Sequence, residues 1–517
     1  MQAPDDQAPP PRLAELVGAL SLATDLADGF AAEKCLRTAI VAVRLAQLVK
    51  AGPEVVRLCF WAGVLRFVGC TAFAHEEGRT FAAGDDIGLR QALAFAEPSN
   101  FTSFARHALP RVARTAPLPQ RLEAVGRLLG SPSAPAAHSR AQCDAGKSFA
   151  RAVGLAGVEG VLAVRDERFD GRGPLRRAKG EQLPLAARVI DVADVAELYA
   201  WTLGEDAMRG ELARRSGAQL DPGLVEPFLA HAASLLEGLR APSCWETYLA
   251  AEPSPWQPVE QGAAVLQAFG RIADVGSVFT LGHSQRVGAL ARQAGALLKL
   301  PAPQLERLEL AGAVHDLGRL AVPVGLWEKP GALTPFERER MQTHSQQTET
   351  ILRVAPALHP IAELAGATHE RGGGKGYHRR LPWEAIPRVA RVLPVADAAV
   401  AMDSERPHRP RLESEALQLE LLLEVKLGKL DREVVDAVLE IVGKPRPRKE
   451  RTSPLSPREL EVARLVAVGR TNKEVGALLA MSPRTAQKHL LGIYDKLGVE
   501  SRAGLALTLM EQGLLED

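Results

Sequence analysis

Aromatic residues make up only 5% of this 517-residue chain, and it holds 5 cysteines. Cys35, Cys59, Cys70, Cys143 and Cys244 lie far apart with no Cys-x-x-Cys pair, which excludes a disulfide framework or a structural zinc knuckle. No apolar run approaches the roughly 18 residues that a membrane span needs. The stretch from Met1 to Pro11 is Pro-rich and acidic, unlike a basic signal peptide, so a cytoplasmic protein with a disordered tail over residues 1–11 is expected. A large net charge is also absent, the formal value being +1. The balance is uneven, however. Residues 444–517 carry 13 Lys/Arg against 9 Asp/Glu, so a polyanion would be met at the C-terminal end.

The length is too great for one hydrophobic core, and at roughly 100 to 200 residues per domain about three domains are expected. Apolar patterns have helical period, as in Arg286 to Leu298, and strands are hard to find, so the fold class is all-α. The segment from Glu181 to Asp194 resembles that from Glu384 to Asp397 without gaps, pairing Pro184 with Pro387, Arg188 with Arg391 and Asp194 with Asp397. Residues 12–240 and 255–443 therefore read as two copies of one helical domain, the first with an insertion between Phe67 and Gln142. A basic, Pro-rich linker over 444–453 precedes a small domain over 454–517.

That small domain announces its helices through caps. Ser456-Pro-Arg-Glu459 and Thr471-Asn-Lys-Glu474 are capping boxes, and Ser482-Pro483 starts a third helix. Val475, Leu478 and Leu479 are expected inward. In the third helix Ala486, Leu490, Ile493 and Leu497 form the core face and leave Arg484, Gln487 and Lys488 outside. Arg and Lys satisfy the acceptors of guanine and Gln pairs with adenine, so these residue types suit major-groove readout of double-stranded DNA. Leu455 to Val462, Thr471 to Val475, Ser482 to His489 and Lys496 to Arg502 stand in the order of a LuxR-type helix-turn-helix, which this four-helix segment resembles. The resemblance implies Lys473 as a phosphate contact, Thr485, Lys488 and His489 as groove contacts, and a homodimer.

His283, His315, Asp316, His344, His369 and Asp397 lie in or beside apolar helical segments of the second copy. Imidazole and carboxylate together suit one or two divalent ions, iron, manganese or zinc, with an activated water. The order His315-Asp-Leu-Gly-Arg319, Lys329-Pro-Gly-Ala-Leu333, His344, His369-Glu-Arg371, Gly376-Tyr-His378 and Val395-Ala-Asp397 resembles the HD superfamily of phosphohydrolases, specifically the HD-GYP subfamily that opens cyclic di-GMP. Two tandem HD-type domains are then expected. The resemblance implies that His283, His315, Asp316 and Asp397 hold one iron or manganese ion and that a bridging Asp316, His344 and His369 hold a second, with Asp316 and Arg319 catalytic. It also implies a cyclic dinucleotide or another phosphate ligand. Thr368 stands where the subfamily has a further histidine, and Arg319 replaces its lysine. In the first copy Lys34, Arg66-Phe67, Gln142 and Asp166 stand at the ligand positions, and of the ligands Asp194 alone survives, so that copy is expected to bind no metal. Two functions follow: a DNA-binding transcriptional regulator with sensory HD-GYP-like domains, or a metal-dependent phosphodiesterase localised by its helix-turn-helix.

Overall fold

A computed structural model describes residues 12–81, 84–114, 116–131, 133–253, 262–443 and 453–515. The expected tail over 1–11 and nearly all of the linker, residues 444–452, lie outside the described residues. Among those described there is no β-strand, only two isolated bridges, so the all-α expectation holds.

The first copy is built on α1 (Leu13–Ala27), α2 (Lys34–Leu48), α3 (Pro53–Val64), α4 (Ala134–Ala152) and α5 (Leu185–Thr202). The second has helices in the same order, α6 (Gly262–Val275), α7 (His283–Leu297), α8 (Ala302–Val314), α9 (Pro335–Arg353) and α10 (Val392–Met402). Small interactions recur in place. Asp25 accepts the Cys35 N–H at 3.1 Å as Asp274 accepts the Ser284 N–H at 2.9 Å. Arg188 pairs with Asp221 at 2.5 Å as Arg391 pairs with Asp431 at 3.1 Å, and both aspartates cap the helix that follows.

The copies are not beads on a string. Helix α1 packs on α9 and on the turn Leu317–Ala321 of the second copy, while α6 packs on α4 and on the turn Cys70–Phe73 of the first. Phe149 of α4 meets Phe269 of α6 edge to face, centroids 4.5 Å apart, an arrangement that adds about 1 kcal/mol to the burial of both rings. One continuous apolar core runs through both copies. The insertion in the first copy includes the helices Asp86–Ala94, Phe101–His107 and Leu118–Leu129, over a small core of their own that includes Phe81, Leu89, Val112 and Ala124.

The C-terminal domain comprises α11 (Pro457–Ala467), α12 (Asn472–Leu478), α13 (Pro483–Leu497) and α14 (Arg502–Glu511). Its capping boxes form as the sequence implies, with Ser456 and Thr471 accepting the Glu459 and Glu474 N–H groups. One inward expectation fails: Leu478 is 60% exposed, because the short α12 turns Val475 and Leu479 to the core and leaves Leu478 on its outer edge. Helix α14 is buried almost all round, which its apolar run Leu505-Ala-Leu-Thr-Leu-Met510 requires. Part of that cover comes from α4 and α6. Asp144 of α4 accepts the Glu500 N–H at 2.8 Å and the Ser501 hydroxyl at 2.7 Å, and Ser501 caps α14. The approach is close enough to demand glycine at 504, where a Cβ would lie 2.7 Å from the Asp144 carboxylate.

Candidate metal centre and DNA-reading face

The six His and Asp residues singled out in the second copy converge. His283 opens α7, His315 and Asp316 follow α8, His344 lies on α9, Asp397 lies on α10 and His369 sits in the loop after Thr368. They fall into two groups with ligand-capable atoms within 4.8 Å of one another: His283, His315 and Asp397, then Asp316, His344 and His369. Asp316 lies between them, its oxygens 3.6 Å from His315 Nε2, 3.6 Å from His344 Nε2 and 3.8 Å from His283 Nε2.

The donor set fits divalent ions on three counts. Nε2 of His315, His344 and His369 are buried without a hydrogen-bond partner, a cost that a metal would remove. The Nδ1 atoms of His315 and His344 face the carbonyls of Gly312 and Met341 at 2.8 and 2.6 Å, which puts a proton on Nδ1 and turns Nε2 inward. The protonation states also suit ligands. Burial pushes His283 down to about 4 and lowers His344 and His369, His369 further through neighbouring His344. Burial opposes charge on Asp316, but His315, Arg319 and His344 hold it well below the carboxylate range. His315 alone goes the other way. Against burial, Asp316 and Asp397 raise it to about 9, so an incoming ion must displace that proton.

Thr368 is fully buried beside this group, and its hydroxyl oxygen has no partner. Arg319 donates to Asp316 at 2.9 Å, and its guanidinium lies 4.0 Å from the centre of the Trp327 ring. A second guanidinium escaped the sequence reading. Arg406 donates to the Phe279 carbonyl at 3.2 Å and reaches 3.5 Å from His283 Nδ1; burial and then Arg319 lower it to about 10. Two mutually repelling cations beside a cluster of ligands make a place for an anion. Arg406 stands nine residues beyond Asp397 in a loop without periodicity, and no pattern in one sequence marks it.

In the first copy the equivalent positions are closed. Lys34 pairs with Asp194, Arg66 reaches Asp194 and Asp191 at 2.9 Å each, and Phe67 lies 4.4 Å from the Lys34 ammonium. Burial opposes charge on Asp194, yet Lys34 and Arg66 hold it well below the carboxylate range. Gln142 and Asp166 are engaged with His138 and Ser139. The positive charges of two side chains stand where the second copy gathers its His and Asp side chains.

On the C-terminal domain Lys473, Arg484, Thr485, Gln487 and Lys488 are exposed and His489 is half-buried, while Ala486, Leu490 and Ile493 face inward. Thr485 shares its hydroxyl with Ser482 at 2.8 Å in the cap of α13. The docking of α14 on α4 and α6 leaves these side chains uncovered.

Residues 267–434 match the HD domain family, and residues 453–509 match the bacterial regulatory proteins of the luxR family. The 3'3'-cGAMP-specific phosphodiesterase 3 of Vibrio cholerae is 28% identical over 406 residues, 77% of this chain and 87% of that protein. A cyclic di-GMP phosphodiesterase of Thermotoga maritima is 33% identical over 181 residues, 34% of this chain and 48% of its own length. The crystal structure of the V. cholerae enzyme V-cGAP3 superposes with a TM-score of 0.57 at 23% identity, covering 84% of this chain and 98% of that one, which shows a shared fold.

Proposed function

We propose that this chain, which joins an HD domain of the HD-GYP type to a LuxR-family helix-turn-helix domain, is a DNA-binding transcriptional regulator whose second HD copy takes a cyclic dinucleotide. The observation that carries the reading is the convergence of six His and Asp side chains, all buried but the half-buried His369, beside Arg319 and Arg406, in a chain that also exposes Arg484, Gln487 and Lys488 on α13. His283, His315 and Asp397 hold one ion, and Asp316, His344 and His369 the other, iron or manganese being suited to this mixed set. Such a pair supplies Lewis acidity and an activated water at a phosphodiester. Arg319 and Arg406 bind the non-bridging oxygens, Arg319 through a bidentate fork that lysine lacks. Lys473 grips a phosphate, while Arg484, Thr485, Gln487, Lys488 and His489 read the groove of double-stranded DNA, in the cytoplasm and as a homodimer, the usual solution for this module.

A second reading, phosphodiesterase activity on that same ligand, is favoured by the complete convergence of the six donors. Thr368 slows it, because the second ion loses an imidazole there. Calorimetric titration of manganese-loaded protein with 3',3'-cyclic GMP-AMP and cyclic di-GMP, followed by operator selection with and without the bound dinucleotide, tests the proposal. Saturable binding that His315→Ala abolishes supports it. Selection of no DNA sequence, with no dinucleotide bound, overturns it.

A further inference from the structure

The first copy's insertion reaches across to the second copy's site. Residues 322–328 follow the His315-Asp316-Arg319 segment and carry Trp327, whose ring lies 4.0 Å from the Arg319 guanidinium and meets His344 edge on, centroids 5.2 Å apart. The indole Nε1 is buried without a partner, so no hydrogen bond of its own fixes the ring. Its backbone neighbours are fixed from outside. The Val324 N–H donates to buried Asp86 at 2.7 Å, and the Gly325 N–H donates to the Gly84 carbonyl at 3.3 Å. Glu328 accepts from Ser277 at 2.5 Å and pairs with His75 of the first copy at 2.8 Å. The contact is tight, since a Cβ at Gly78 would lie 2.3 Å from a Val324 methyl. Asp86 is itself locked by Arg90, which also binds Glu77 at 2.7 Å.

We infer that the first copy, which shows no ligand set among the described residues, is a structural part of the second copy's site: His75 and Asp86 position Trp327, and Trp327 positions Arg319 over the ligands. The inference rests on the reading of Arg319 as a phosphate-binding residue. His75, Asp86, Glu328 and Trp327 are positioning residues, touching neither ion nor phosphodiester. Fixed geometry matters because a misplacement of about 1 Å at a charged contact can cost up to about a hundredfold.

The test uses the full chain loaded with manganese and cyclic di-GMP as probe. Glu328→Ala should weaken dinucleotide binding about tenfold, the scale at which outer partners act, and His75→Ala should weaken it several-fold. His75→Gln, which keeps a donor toward Glu328, should restore most of the loss. Metal content and helical circular dichroism should stay unchanged. In an Arg319→Ala background both effects should vanish; persistence there would overturn the inference. A readout independent of any ligand is the fluorescence difference between the parent and Trp327→Phe. His75→Ala should shift that Trp327 emission to the red. Dinucleotide binding absent from the parent would refute the proposed function and leave this fluorescence to decide the positioning role, which an unmoved emission would refute.

Discussion

Replacing Asp194 by alanine should destabilise the protein although it lies outside the His and Asp cluster of the second copy. The carboxylate neutralises Lys34 and Arg66, whose side chains are 3% and 10% exposed. Without it Arg66 keeps Asp191 at 2.9 Å, whereas Lys34 keeps only Glu197 at 3.7 Å. Breaking a buried pair strands a desolvated charge and costs about 3 to 5 kcal/mol. At about 2 °C per kcal/mol in a large domain, the melting temperature should fall by roughly 6 to 10 °C. Acid gives a second check. Lys34 and Arg66 hold Asp194 below its unfolded value of about 3.9, so its stabilisation is present above about pH 4 and lost as the pH falls further. The gap between parent and variant should therefore narrow below about pH 4. The counterpart Asp397→Ala should behave oppositely, removing metal from the second copy while costing the metal-free protein far less, because its neighbours are imidazoles that can shed their charge. Differential scanning calorimetry across pH, with elemental analysis, measures both. An Asp194→Ala protein that melts with the parent would refute the reasoning that side-chain cations fill the first copy's site.

Three further outcomes are expected. Lys488→Ala should cost about 1 to 3 kcal/mol of sequence-specific DNA binding if it reaches a base edge, whereas Lys473→Ala should weaken all sequences alike and flatten the salt dependence; unchanged operator affinity in both would remove the assignment. Asp144→Ala should release the Glu500 and Ser501 contacts at a cost of about 1 to 3 kcal/mol, read as faster hydrogen exchange across α14 with the second copy's helices unaffected. Thr368→His should raise manganese occupancy and turnover of the dinucleotide together, and no gain in either would show that the lost imidazole is not what limits the site.

Much of this was legible in residues. The helical period gave the fold class, the capping boxes at Ser456 and Thr471 are local chemistry that forms wherever the chain goes, and the paired segments ending at Asp194 and Asp397 are what suggest two copies. The His and Asp ligand candidates could be picked out because their order along the chain is distinctive. What stayed hidden depends on contacts between segments far apart. Arg406 becomes visible only when its loop folds back on His283, and the grip of His75 and Asp86 on residues 324–328 crosses about 240 positions. The exposure of Leu478 follows from the shortness of α12, which apolar spacing alone does not reveal, and the burial of α14 against α4 turns on Gly504 and Asp144, an approach that no single helix announces.

The most direct test of a metal-dependent phosphodiester site in the second copy is elemental analysis of the purified full chain beside its His315→Ala variant, with cyclic di-GMP and 3',3'-cyclic GMP-AMP turnover measured on the same samples. Iron or manganese should be bound in the parent and lost in His315→Ala, with turnover that is slow and tracks the metal. A parent that binds no metal, even with manganese supplied, would contradict it.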